Sequence, residues 1–198
     1  ARQRLATEHE REALFLSRTG KHVHPENLYS MSGLVRLALS AGGLYQRAVR
    51  NSRAIRVTRN RFVLPGLPQA LEGYTVLQLS DLHVDMDEAN LHAVIETVRD
   101  LDYDLCVITG DYRRDTWGDI TPAMEGMRRL RSHLKGTPLA ILGNHDSVLM
   151  VPEMETMGYR MLMNESLCIE REDAELWIAG VDDPHLYQAH DLAAATRD

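Results

Sequence analysis

Three short polar stretches stand at the ends of apolar runs: "DLH" (81–83) after "VLQLS", "GD" (110–111) after "CVIT", and "GNHD" (143–146) after "LAIL". Asp81, His83, Asp111 and Asn144 offer carboxylate, imidazole and amide donors but no thiolate. That set suits a divalent ion such as Mn, Fe or Zn in a reactive site better than a structural zinc. His145 adds an imidazole that exchanges protons near neutral pH, with the carboxylate of Asp146 next in the chain. Taken singly, each residue has an ordinary use: Asp as a helix N-cap, Asn as a turn residue, Gly110 and Gly143 as turn markers. Caps and turns do not require D-x-H, G-D and G-N-H-D in that order, so the combination is the specific signal.

Positioning these groups together needs strands whose ends lie side by side. "YTVLQLS" (74–80), "DLCVITG" (104–110) and "PLAILG" (138–143) read as strands, with "DEANLHAVIETVRDL" (87–101) and "DITPAMEGMRRLRSHL" (119–134) as helices between them. Nearly continuous apolar strands alternating with helices imply a parallel sheet covered on both faces and joined by right-handed crossovers. The carboxyl ends of neighbouring strands border the ligand crevice of such a sheet. Asp81 and Asp111 are 30 residues apart and Asp111 and Asn144 33, about one crossover each. Further strands are expected at 160–164, 166–170 and 176–180, and a last helix from 186 to 196. "AIRVTRNRFVLP" (54–65) alternates as strands do, ahead of the Pro/Gly-rich "LPGLPQALEG".

The chain of 198 residues is 44% apolar, enough for one domain with a sizeable core. Its net charge of -7 is uneven: residues 1–64 carry twelve Lys and Arg against four Glu, and the remainder ten against 25 acidic residues. The first third therefore faces something anionic or pairs with the rest. Residues 34–49 place Leu34, Leu37, Ala38, Ala41, Leu44, Tyr45 and Ala48 at helical spacing, with Arg36, Arg47 and Arg50 opposite. A basic amphipathic helix over residues 34–50 has two uses, packing on its own domain or lying on an anionic membrane surface. Gly42 and Gly43 each cost about 1 kcal/mol of helix propensity, so an outside surface must help to order it. No run reaches the roughly 18 apolar residues of a membrane span, and no signal peptide is evident. Cys106 and Cys168 lack CxxC spacing and read as free thiols.

In its ordered motifs the sequence resembles the calcineurin-like metallophosphoesterases, whose D-x-H, G-D and G-N-H-[DE] match "DLH", "GD" and "GNHD". The resemblance covers residues 55–198. "RFVLPGLPQALEGYTVLQLSDLH" and "IAGVDDP" are similar to the bacterial branch that includes membrane-associated phosphohydrolases. It implies a four-layered α/β/β/α sandwich with two facing sheets; residues 1–54, outside the resemblance, read from their charge as a basic N-terminal arm. The resemblance also implies two divalent ions, with Asp81 and His83 on the first, Asp111 bridging, and Asn144 on the second. His145 is then a group beside the scissile phosphate and Asp146 the orienter of its ring. The physics agrees, because two divalent ions place positive charge against the phosphate oxygens and acidify water. Asn144 binds without cancelling that charge, and His145 can protonate a leaving oxygen.

The family pattern continues with one more histidine and then G-H-x-H, and neither is present. His185 and His190 are the remaining downstream candidates. The better explanation is a domain incomplete at its C-terminus, lacking the last strands and helices of the second sheet and leaving a half-open site. Arg113 and Arg114 follow the bridging position and could meet a substrate phosphate. Asp115 either reaches the site or is a solvated loop charge, the second being favoured, and His92 and His133 read as surface residues of helices. Asp182 and Asp183 serve either the cleft or a turn, and Met150, Met154, Met157, Met161 and Met163 fill core.

Two functions of different classes follow. One is a metal-dependent hydrolase of phosphomonoesters or phosphodiesters, lipid-linked or nucleotide-like, cytoplasmic or peripheral to a membrane. The other is a non-catalytic binding or scaffolding module with an incomplete metal site. Nucleic acid is the weaker partner, because the basic arm lacks interleaved aromatics for stacking.

Overall fold

In the computed structural model the residues described are 2–19 and 31–197. Four short strands form one parallel sheet in sequence order: β1 (Val76–Leu79), β2 (Leu105–Ile108), β3 (Leu139–Ala140) and β4 (Arg160–Met161). The links carry helices α4 (Glu88–Arg99), α5 (Thr121–Arg131) and α6 (Val151–Thr156). Strands added one after another through crossovers of one hand throw every crossover helix onto the same face.

The alternation of side chains along each strand divides the core accordingly. Leu77 and Leu79 of β1, Cys106 and Ile108 of β2, and Ala140 of β3 pack with Leu91, Ile95 and Val98 of α4 and Met124, Met127 and Leu130 of α5. Leu105, Val107 and Leu139 point the other way, toward Leu167, Ile169 and Ile178. These last belong to an antiparallel hairpin, β5 (Glu165–Arg171) with β6 (Ala174–Gly180), paired from Glu165 with Gly180 to Arg171 with Ala174. The expected α/β class with two facing sheets is therefore present: helices cover one face of the parallel sheet and the hairpin covers the other.

Local chemistry explains several helix starts. Asp87 caps α4 by accepting from the Ala89 amide at 3.0 Å. Pro122 and Pro152 sit in the first turns of α5 and α6, where their missing N–H costs nothing. Met150, Met154 and Met161 are fully buried, as core-filling methionines should be.

Three expectations are corrected. Residues 54–64 form no strand and are exposed throughout, because alternation alone does not make a strand without a ladder partner, and none pairs with them among the described residues. The single helix expected over 34–49 is two, α2 (Met31–Ala41) and α3 (Tyr45–Ser52). Gly43, at φ +67°, ends α2 in the left-handed conformation, while the Leu44 amide returns to the Leu39 carbonyl at 2.7 Å. The last helix, α7 (Leu192–Ala195), starts only after Asp191, whose side chain accepts from the Ala194 amide, so His190 precedes it and lies on no helix. The apolar side of α2 is not buried by its own domain: Leu34, Val35 and Leu37 are 52%, 49% and 65% exposed.

The N-terminal helix α1 (Arg2–Thr19) behaves differently. It buries Arg4 completely and Glu8 nearly so, against the loop that follows β3.

Candidate metal centre

The loops after β1 and β2 run beside one another, with the amides of Asp81, His83 and Val84 donating to the carbonyls of Gly110, Asp111 and Tyr112 at 3.2, 3.0 and 2.8 Å. These bonds hold the two loops together beyond the strand ends. They bring Asp81, His83 and Asp111 together so that one ligand atom from each lies within 4.8 Å of the others. Two carboxylates and an imidazole at that separation fit a divalent cation. All three residues have positive φ, at 52°, 39° and 57°, a conformation that residues with a Cβ adopt at a cost. Among the described residues no other His, Cys, Asp and Glu group of three or more has this geometry.

His83 is oriented by the chain itself. Its Nδ1 lies 2.7 Å from the carbonyl of Arg113. A carbonyl only accepts, so Nδ1 carries the proton and Nε2 presents a lone pair. Asn144 lines the same cleft as Asp81 and Asp111, a hollow of about 240 Å³ also bordered by Asp182 and Asp183. The His145 ring stands edge-on to the His83 ring, centroids 5.2 Å apart at 86°. Asp111 Oδ1 accepts from the His145 amide at 2.9 Å, which binds the third motif to the second.

Asp146 has a different task from the one expected. Its carboxylate is completely buried and accepts from the amides of Asp111 (2.7 Å), Tyr112 (2.8 Å) and Gly143 (2.8 Å). Burial pushes this carboxyl above its ordinary range, while the three amides pull in the opposite direction. The His145 ring is instead 3.4 Å from Thr116 through its Nδ1. The reason is geometric: a carboxylate under the loop saturates amides that would otherwise be buried without partners.

Gly143 is also more than a turn. Its φ is not positive, but a Cβ there would lie 2.8 Å from the carboxyl carbon of Asp111. Gly110 combines φ +91° with the same crowding from the opposite side.

Arg113 is buried, and its guanidinium donates to the carbonyls of His145, Thr116 and Gly118, so it serves the loops. Arg114 is exposed and paired with Asp115 at 2.6 Å. His185 and His190 are exposed and outside the cluster, and His92 and His133 are exposed on the helical side.

Sequence reading missed Arg4 and Glu8. Arg4 donates through Nε to Glu8 at 2.8 Å, through Nη1 to Asp182, and through Nη2 to the carbonyls of Gly143 (2.8 Å) and Asp146 (2.7 Å). Its guanidinium also lies 4.2 Å from the centre of the Tyr187 ring. Burial opposes the charge, but Asp182 and Glu8 outweigh it and hold the Arg4 pKa above its ordinary value. Glu8 in turn accepts from Ser147 Oγ (2.7 Å) and the Val148 amide (2.9 Å). The only advance signal was an Arg and a Glu four residues apart, a spacing common on any helix.

Strand order, cluster and loop geometry define an α/β protein with a strand-end group of residues able to hold a metal ion. The sequence pattern of the calcineurin-like phosphoesterase family matches residues 74–189, more than half of the chain, and the chain belongs to that family. The family's chemistry is metal-dependent phosphoester hydrolysis. The chain is 31% identical over 127 residues to a "Transmembrane protein with metallophosphoesterase domain" of Danio rerio, covering 59% of this chain and 29% of that protein. It is 30% identical over 147 residues to the "Uncharacterized metallophosphoesterase YkoQ" of Bacillus subtilis, covering 69% of this chain and 53% of that one. No solved structure matches it. No described helix is long and apolar enough to cross a membrane.

Proposed function

We propose that the protein hydrolyses a phosphomonoester or phosphodiester, lipid-linked or nucleotide-like, at a centre of two divalent ions drawn from Mn, Fe and Zn. The observation that carries this reading is the convergence of Asp81, His83 and Asp111 within 4.8 Å, in a cleft that Asn144 also lines. In this reading Asp81 and His83 hold the first ion, Asp111 is shared, and Asn144 holds the second. Bound ions supply positive charge against the phosphate oxygens and acidify water.

The chain's own residues do the rest. His83 keeps its proton on Nδ1 against the Arg113 carbonyl and so keeps Nε2 available. His145, anchored by its amide to Asp111, hydrogen-bonds the phosphate or gives a proton to the leaving oxygen. Asp146 holds the amides of Asp111 and Gly143 and thereby sets the spacing of the two loops.

The arm (1–54) and the phosphoesterase domain (55–198) divide the labour, with α1 reaching back into the site. Residues 34–50 lie on an anionic membrane surface, cytoplasmic or otherwise. The exposed Leu34, Val35 and Leu37 beside Arg36, Arg47 and Arg50 support that placement. The test is hydrolysis of bis(p-nitrophenyl) phosphate and p-nitrophenyl phosphate by the full-length protein, stripped with EDTA and resupplied with Mn. Turnover restored by Mn and lost in Asp111→Ala is expected. Turnover that ignores metal, or none at all, sinks the reading.

A further inference from the structure

The loop from Gly143 to Val148 must aim Asn144 and His145 at the Asp81–His83–Asp111 group, yet much of its backbone bonding lies outside the strands. Its amides at 143 and 145 are taken by Asp146 and Asp111. Its carbonyls at 143 and 146 are taken by one side chain from the other end of the chain, Arg4. The planar guanidinium is fixed on its remaining edges by Glu8 and Asp182 and on its face by Tyr187. Glu8 then holds Ser147 and the Val148 amide, so two residues one helical turn apart grip both ends of the loop. Asp182 borders the cleft, and the pairing with Arg4 neutralises a carboxylate there.

We propose that Arg4 is a positioning residue of the metal centre: as a buried fork it ties the carbonyls of Gly143 and Asp146 to Asp182, and so fixes where Asn144 and His145 face. This role in metal binding rests on the reading given above. The loop-holding part does not. A lysine would keep the charge but, with one ammonium in place of a fork, could not keep two carbonyls and a carboxylate in one plane.

The experiment compares the full chain with Arg4→Lys and Arg4→Met by amide hydrogen exchange without metal, and by Mn titration in calorimetry. Both variants are expected to keep the slow amides of α4, Leu91–Val98, while exchange at residues 143–148 rises about tenfold. Mn affinity is expected to fall about 10- to 100-fold, as for other groups that orient ligands. Exchange at 143–148 unchanged in Arg4→Lys overturns the proposal, as does a rise spread equally over α4. Should Arg4→Met fail to fold, Arg4→Lys decides by the same criteria. A wild-type chain that binds no Mn would refute the hydrolase reading and with it the metal-binding part of the Arg4 role, leaving the loop-holding part to be decided by exchange.

Discussion

Gly110 and Gly143 face each other where two strand-end loops converge, so closely that a Cβ on Gly110 would stand 2.6 Å from the Gly143 Cα. Two motifs that look separate in sequence are one packed contact. A methyl group at Gly143 must push Asp111 away, and Gly143→Ala should lose about 1–3 kcal/mol by overpacking. Gly110→Ala should lose more, because its φ of +91° adds backbone strain. Urea unfolding measures both. Wild-type stability in Gly143→Ala would contradict the packing.

Asp146→Asn replaces an acceptor of three amides by a side chain with one acceptor oxygen and a donor that faces an N–H. One buried amide should lose its partner, at a cost of about 1–3 kcal/mol. The amide resonances of Asp111, Tyr112 and Gly143 should shift most, and an effect centred on the His145 ring would restore the role first expected for Asp146.

His145→Ala removes the imidazole but leaves Asp81, His83, Asp111 and Asn144 in place. Hydrolysis by the complete protein should fall about a hundredfold while Mn binding stays nearly the same. Steady-state rates and calorimetry on one preparation separate the two, and lost metal binding would make His145 a ligand.

The two thiols should differ in reactivity. Burial pushes Cys106 up to about 12, so as pH rises from 7 to 9 its reactive thiolate stays scarce. Cys168 is only partly buried, on β5, and is raised by burial and by Glu175 and Glu170. Iodoacetamide at pH 8 followed by mass spectrometry should modify Cys168 slowly and Cys106 only after unfolding. Early modification of Cys106 would show that the α4 face opens readily.

The paired helices α2 and α3 should bind vesicles containing phosphatidylglycerol and release them as salt rises, since each basic residue near such a surface contributes about 1 kcal/mol. Leu34→Glu with Leu37→Glu should abolish co-sedimentation. Equal binding to uncharged phosphatidylcholine vesicles would remove the electrostatic part of the argument.

What was legible in the sequence was local. Apolar runs that give way to Gly or Asp marked β1, β2 and β3, and the helical stretches between them marked α4 and α5, because backbone preference acts over one or two turns. The polar ends Asp81, His83, Asp111 and Asn144 followed, since parallel strands joined by crossovers must bring like ends together. Tertiary structure alone decided that the alternating segment 54–64 has no ladder partner among the described residues and that β5 and β6 pair with each other as the hairpin facing the parallel sheet. It also gave Asp146 to three amides and put Arg4 under a loop 139 residues away. Such contacts depend on which surfaces meet in space, and neither periodicity nor spacing distinguishes Arg4 from the other arginines of the basic arm.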